Sequence, residues 1–192
     1  RLAIEMEEMP RAYDKFFVET WVDSALRFFT SRNFKVVGET GHVYGYGKSV
    51  WAMIDLNTRL PVDILSVRDG LINEYIETEY PCPIEKSSRV KMSAATAPIR
   101  SIDTYYNDVD VNGHINSVKY IEHVLDLWDL SWYKEHCIKR FEIAYVAESH
   151  QGDQLHFYRE QRDTDTDFNV RITKSNSDGE ETEVCRCRML FI

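Results

Sequence analysis

The most constraining stretch of the chain is Asn107-Asp108-Val109-Asp110-Val111-Asn112-Gly113-His114-Ile115-Asn116, where the sequence period changes at a single point. Asp108, Asp110, Asn112 and His114 stand at i, i+2 spacing. That spacing predicts an extended run with these four side chains on one side and Val109, Val111 and Ile115 turned into protein. From Asn116 the period becomes helical: Val118, Ile121, Val124, Leu125, Trp128 and Trp132 share one face, with Glu122, Asp126 and Asp129 on the other. An amphipathic helix is expected over residues 116–133. The chain therefore delivers a row of acid, base and amide groups to a helix start, where free backbone N–H groups and the dipole favour negative charge.

The remaining patterns are mostly those of strands. Arg1-Leu2-Ala3-Ile4-Glu5-Met6 already alternates and carries no initiating Met, so the chain is expected to begin inside a domain. Period-2 patterns follow at residues 14–22, 28–37 and 49–56, with a glycine-spaced turn at 38–47 between the last two. Pro61 ends this antiparallel meander, and residues 67–76 form a short helix candidate. Residues 79–98 lose periodicity around Pro81-Cys82-Pro83 and read as a linker. The expected domains are therefore 1–78 and 99–192. The second continues with a strand at 99–106, the helix, and strands at 139–147, 154–161, 168–174 and 183–192, with an Asp178-Gly179 hairpin signal. One long helix on a multi-strand antiparallel sheet makes an α+β layer. The three strands of the first half echo three in the second, which fits a duplicated unit whose first copy lacks its helix.

A net charge of −9 without any basic run excludes a general nucleic-acid or anionic-membrane binder. No apolar run approaches the roughly 18 residues of a membrane span. With no signal peptide recognisable, a cytoplasmic protein is expected. Cys185 and Cys187 alternate with Arg186 and Arg188, which places both sulfurs on one strand face as small core groups. Cys82 and Cys137 have no partner at metal-ligand spacing.

Three readings compete for the polar row. Asp108-x-Asp110-x-Asn112-Gly113 matches the first half of a calcium-binding loop, but its twelfth position is Lys119, whose ammonium cannot ligate calcium. Short Asp and Asn residues before a helix also serve as caps and turns. The regular spacing, with His114 placed last before the helix, favours a site. His42, His123, His136, His150 and His156 form no zinc-like spacing and read as ordinary side chains.

The run from Asn107 to Ile121 resembles the central D-x-D-x-N-x-H-x-N-x-V-K-Y-I motif of the acyl-acyl-carrier-protein thioesterases of plants and bacteria. Glu19-Thr20-Trp21 and residues 49–55 are similar to first-domain strands of the same family. The resemblance implies a tandem hotdog fold, each domain a long helix wrapped by an antiparallel sheet, the first repeat here lacking its N-terminal strand and helix. It implies hydrolysis of fatty acyl-acyl carrier protein to free fatty acid and holo-carrier. Asp110, Asn112 and His114 match the family's catalytic positions, and Glu148 in Tyr145-Val146-Ala147-Glu148-Ser149 matches its catalytic glutamate. Plant members carry cysteine after that glutamate; Ser149 here implies attack by water assisted by a carboxylate. No metal or organic cofactor is implied. The implied partner is an acidic acyl carrier protein, met by a local patch for which Arg89, Lys91, Arg100 and Lys119 are candidates. A homodimer is expected from the need to cover a sheet edge. An acyl-CoA thioesterase of the same fold and a non-catalytic acyl-binding module are the alternatives.

Overall fold

In the computed structural model, residues 1–93, 97–175 and 179–192 are described. Ala94, Ala95 and Thr96 of the linker stretch, and Asn176, Ser177 and Asp178 of the expected hairpin turn, lie outside the described residues. The chain divides into two units, Arg1–Ser87 and Ser88–Ile192.

The first unit is an antiparallel sheet of β1 (Leu2–Met6), β2 (Phe16–Ala25), β3 (Phe29–Gly38) and β4 (Val43–Ala52), in the order β2-β3-β4-β1. β4 begins earlier than the pattern predicts, because Gly45 and Gly47 belong to the strand and not to the turn. A Cβ at Gly45 would run into the backbone carbonyl of Glu5 on β1, and one at Gly47 would press on Phe34 at 3.4 Å. Both glycines thus mark close approach of neighbouring strands. The turn itself closes at Gly41, whose φ of 85° only glycine adopts readily. Residues 67–76 are no continuous helix. Ile64–Tyr75 forms short 3-10 turns broken at Val67 to Gly70, where Arg68, Asp69 and Gly70 all have positive φ.

The second unit comprises β5 (Arg100–Asp103), α1 (Ser117–Leu125), α2 (Leu130–Glu135), β6 (Ile138–Tyr145), β7 (Gln154–Gln161), β8 (Asp167–Ser175) and β9 (Glu181–Phe191). Its strands are antiparallel in the order β6-β9-β8-β7-β5. The expected single helix is two. α1 stops after Leu125, and the Asp129 carboxylate starts α2 by accepting from Trp132 N–H at 2.9 Å and from the Ser131 hydroxyl at 2.7 Å. Asp is a strong N-cap and a poor interior residue, so the break falls where the polar face carries it.

Register sorts the side chains of this sheet into two faces. Cross-strand rows Phe157–Ile172–Cys185 and Phe168–Met189–Phe141 line the inner face. Tyr120, Val124 and Trp128 are buried on the helical side, and the Trp128 ring meets Phe168 and Phe191 at 5.3 and 5.1 Å. Burying each such Ile, Phe or Met contributes on the order of 1.5–3 kcal/mol. Cys185 and Cys187 are fully buried in this core, as their alternation with Arg186 and Arg188 predicts.

The opposite face carries the row Glu142–Arg188–Asn169–Glu160. Residues 88–93 lie across it as a strap. Ser88 donates its N–H and hydroxyl to Glu142 on β6 at 2.6 and 2.8 Å, and Val90 O accepts from Arg186 on β9. Lys91 O then accepts from Asn169 on β8, and Ser93 donates to Glu160 on β7. Beneath the strap, Arg140 pairs with Glu142 at 2.7 Å and Arg188 forks onto Asp167 at 2.9 and 3.1 Å. Burial works against ionisation of Glu142, but the bonds from Arg140 and Ser88 outweigh it and hold the carboxyl below the usual glutamate range.

Candidate functional site

The polar row does not run extended. Val109 and Ile115 form an antiparallel bridge, and Asp110 N–H donates to His114 O at 2.8 Å, so the chain doubles back over four residues. Asp110 drives the reversal: its Oδ1 accepts from the N–H groups of Asn112 at 2.8 Å and His114 at 3.2 Å, an Asx turn. Gly113 completes it with a φ of 82°. The expected inward pointing of Val111 is overturned, since it sits fully exposed at the tip. Asp108 is buried, Asp110 and His114 are half-buried, and Asn112 is exposed. An i, i+2 pattern fits this turn as well as a strand, which is why spacing alone misplaces the side chains.

One carbonyl closes the loop and a second fastens it to its surroundings. Asn116 N–H donates to Asp108 O at 2.7 Å, and Ile115 N–H donates to Ser149 O at 2.8 Å. The second bond brings the loop against the segment after β6. There Glu148 Oε2 stands 3.4 Å from His114 Nε2, with the Glu148 side chain 47% exposed. His114 and Glu148 therefore meet through their side chains, whereas Asp110 reaches His114 through the backbone. The Asn112 side chain stays by Asp110. The Asn112 N–H leads the groups that hold the Asp110 carboxyl below its ordinary range, and the His114 N–H and the Asn112 side chain add to it.

The start of α1 is less available to an anion than its position suggests. Asn116 caps the helix, its side chain accepting from Val118 N–H at 3.0 Å while its carbonyl accepts from Lys119 N–H at 2.9 Å. Both amides are thereby engaged. The His114 imidazole stands beside Glu148, Nε2 to Oε2 at 3.4 Å.

Two histidines read as ordinary from the sequence lie at this loop. His123 Nε2 on α1 stands 3.5 Å from Asp108 Oδ1, whose other oxygen accepts from Tyr105 N–H at 2.7 Å. The His150 ring packs edge-to-face on the His114 ring, centroids 5.1 Å apart. The one signal for His150 in the sequence is its place two residues after Glu148. Between them Ser149 is fully buried, and burial pushes the nearby Tyr120 phenol up to about 12. At neutral pH that phenol is protonated and cannot act as a base. Among the described residues no group of three or more His, Cys, Asp or Glu is arranged to hold a metal ion, and no helix is long and apolar enough to cross a membrane.

The fold has clear counterparts. The acyl-ACP thioesterase C-terminal domain model matches residues 91–191, and the N-terminal domain model of the same family matches residues 1–75. An acyl-ACP thioesterase structure from Bacteroides thetaiotaomicron VPI-5482 is 46% identical, superposes with a TM-score of 0.89, and is matched over all of this chain and 74% of its own. The 12:0-ACP thioesterase of Umbellularia californica shares the fold at 22% identity and a TM-score of 0.84, over all of this chain and 73% of its own. The chloroplastic palmitoyl-acyl carrier protein thioesterase of Gossypium hirsutum is 27% identical over 180 residues. That match takes in 92% of this chain but only 44% of the cotton protein. With both domain models matched in order and a 46% identical structure matched over the whole of this chain, the chain belongs to the acyl-ACP thioesterase family, with its tandem hotdog fold.

Proposed function

We propose that the protein hydrolyses the thioester of fatty acyl-acyl carrier protein, releasing free fatty acid and the holo-carrier. The observation that carries this reading is the 3.4 Å approach of His114 Nε2 to Glu148 Oε2, an acid–base pair assembled by the Ile115–Ser149 bond. Family membership supplies the reaction class, and the pair supplies groups that suit it.

In this reading Glu148 takes a proton from water as the water oxygen attacks the thioester carbon. The oxygen of the tetrahedral intermediate accepts a hydrogen bond from the His114 N–H. The carbon–sulfur bond then breaks, and the phosphopantetheine thiolate takes up the proton. Asp110, with both loop amides on its Oδ1, holds His114 in place, and Asn112 completes that turn. Glu148 is preferred over Asp110 as base because the Asp110 carboxylate is committed to the loop. A serine nucleophile at 149 is disfavoured because that side chain is fully buried. For the acidic carrier the basic groups at the two ends of α1 are candidates: Lys119 in its first turn, which pairs with Glu122 at 2.8 Å, and Arg100, which donates at 2.8 Å to the carbonyl of the C-cap Asp126. Carrier acids would compete for both.

The test is thiol release from long-chain acyl-carrier protein, with acyl-CoA in parallel, for the wild type and His114→Ala. Turnover on the carrier that collapses in the variant is expected. Faster turnover on acyl-CoA would reassign the substrate, and tight acyl-carrier binding without turnover would make the protein a binding module.

A further inference from the structure

We propose that His150 is a positioning residue for His114: its ring, packed edge-to-face on the His114 imidazole, holds that imidazole against Glu148. This rests on the hydrolase reading for its functional consequence, though not for its geometry.

The segment after β6 presents alternate residues to the loop. Ser149 is fully buried, while Glu148 and His150 on either side of it are exposed and both reach His114. Glu148 Oε2 lies 3.4 Å from Nε2, and the His150 ring lies 5.1 Å from the His114 ring at an interplanar angle of 75°. The imidazole is thus bracketed by a carboxylate and an aromatic edge delivered from one short stretch of chain. An exposed ion pair fixes geometry weakly, because water screens it and the glutamate has rotamers to choose from. A ring packed at a defined angle restricts the rotation that the ion pair leaves free.

His150 itself is anchored for this purpose. Its N–H donates to Asp153 Oδ2 at 2.9 Å, and its carbonyl accepts from the Thr104 hydroxyl at 3.0 Å. The same hydroxyl lies 2.8 Å from Asp153 O and accepts from Gly152 N–H at 3.0 Å, and Thr104 is 3% exposed. Lys174 Nζ reaches Asp153 Oδ2 at 3.1 Å, tying the turn to β8. The His150 backbone is thus held at both ends, its N–H by the half-buried Asp153 and its carbonyl by the buried Thr104. The turn thereby fixes the backbone from which the His150 ring projects onto the half-buried His114 ring.

The experiment compares the full-length wild type with His150→Ala and His150→Phe. One readout is nuclear Overhauser contact between the His114 ring protons and the Glu148 side chain; the other is steady-state thiol release from acyl-carrier protein. We expect His150→Ala to lose the His114–Glu148 contact and to drop kcat roughly ten- to hundredfold at nearly constant KM, a misplaced-group effect. His150→Phe, which keeps the ring but has no titratable group, should restore both. Contact that persists in His150→Ala, or a Phe variant as impaired as the Ala variant, overturns the proposal. A wild type that shows the contact yet releases no thiol sinks the hydrolase reading instead, and the Overhauser data alone then decide the positioning claim.

Discussion

Ile115 and Ser149 are joined by a single backbone hydrogen bond of 2.8 Å, and that bond sets the residue before each partner side by side. His114 precedes Ile115, and Glu148 precedes Ser149. Main-chain pairing between a loop and a strand exit therefore brings His114 and Glu148 together, and the side chains around them set how the imidazole is turned.

If the pair acts as one unit, its variants will not add. Glu148→Gln is expected to cost on the order of 10²–10⁴ in kcat, the usual loss for a positioned base. His114→Ala should cost a similar factor. The double variant should be little worse than the poorer single one, as for residues that work together. Product of the two single effects in the double variant would show that the residues act separately.

Asp110 is expected to act through the loop. Asp110→Ala should speed hydrogen exchange at the Asn112 and His114 amides, which both donate to its Oδ1, while Asp110→Asn should protect them partly. Its folded-state carboxyl is held low, so the protection should be complete above the ordinary aspartate value near 3.9 and fade only as pH falls below it. Unchanged exchange in Asp110→Ala would remove the aspartate from the loop's support.

Glu142 should contribute to the acid sensitivity of the second unit. Its folded value lies below the ordinary glutamate value of about 4.3, so its contribution is full above that pH and is lost as pH falls through the lower folded value. Glu142→Gln leaves Arg140 buried beside a neutral amide, and breaking such a pair costs on the order of 3–5 kcal/mol. Denaturant titration at pH 7 and pH 3.5 should show a large gap between wild type and variant at neutral pH that narrows in acid.

The thiols should separate by burial. Cys137 is exposed and should react with a thiol reagent at once, and Cys82, half-buried with its Sγ on Gly47 O at 3.7 Å, more slowly. Cys185 and Cys187 are fully buried, and burial pushes both thiols well up. They should react only as the domain unfolds. Rapid modification of all four in the native protein would contradict the core placement.

The parts of this fold that repeat a period could be read before any coordinates. The alternation of Arg186 and Arg188 with Cys185, Cys187, Met189 and Phe191 places β9 with its buried face correct, and the motif through His114 points to the family. What escaped depends on groups that carry no period. Asp129 looks like one more polar residue on a helix face until its carboxylate is seen capping α2. Gly45 and Gly47 signal a turn by composition, yet serve close strand approach. The strap binds largely through main-chain groups and serines, so residues 88–93 look featureless. His150 acquires meaning only when the Ser149 carbonyl meets Ile115, a contact no local pattern encodes.

The strap also works as a proofreader of strand alignment. Glu142, Arg186, Asn169 and Glu160 can meet Ser88, Val90, Lys91 and Ser93 only when four strands lie in their native order with these side chains on one face. A slip of one residue in any strand would turn its contributor toward the core and leave a strap position empty. The full set of strap bonds is therefore one that only a correctly registered sheet can complete.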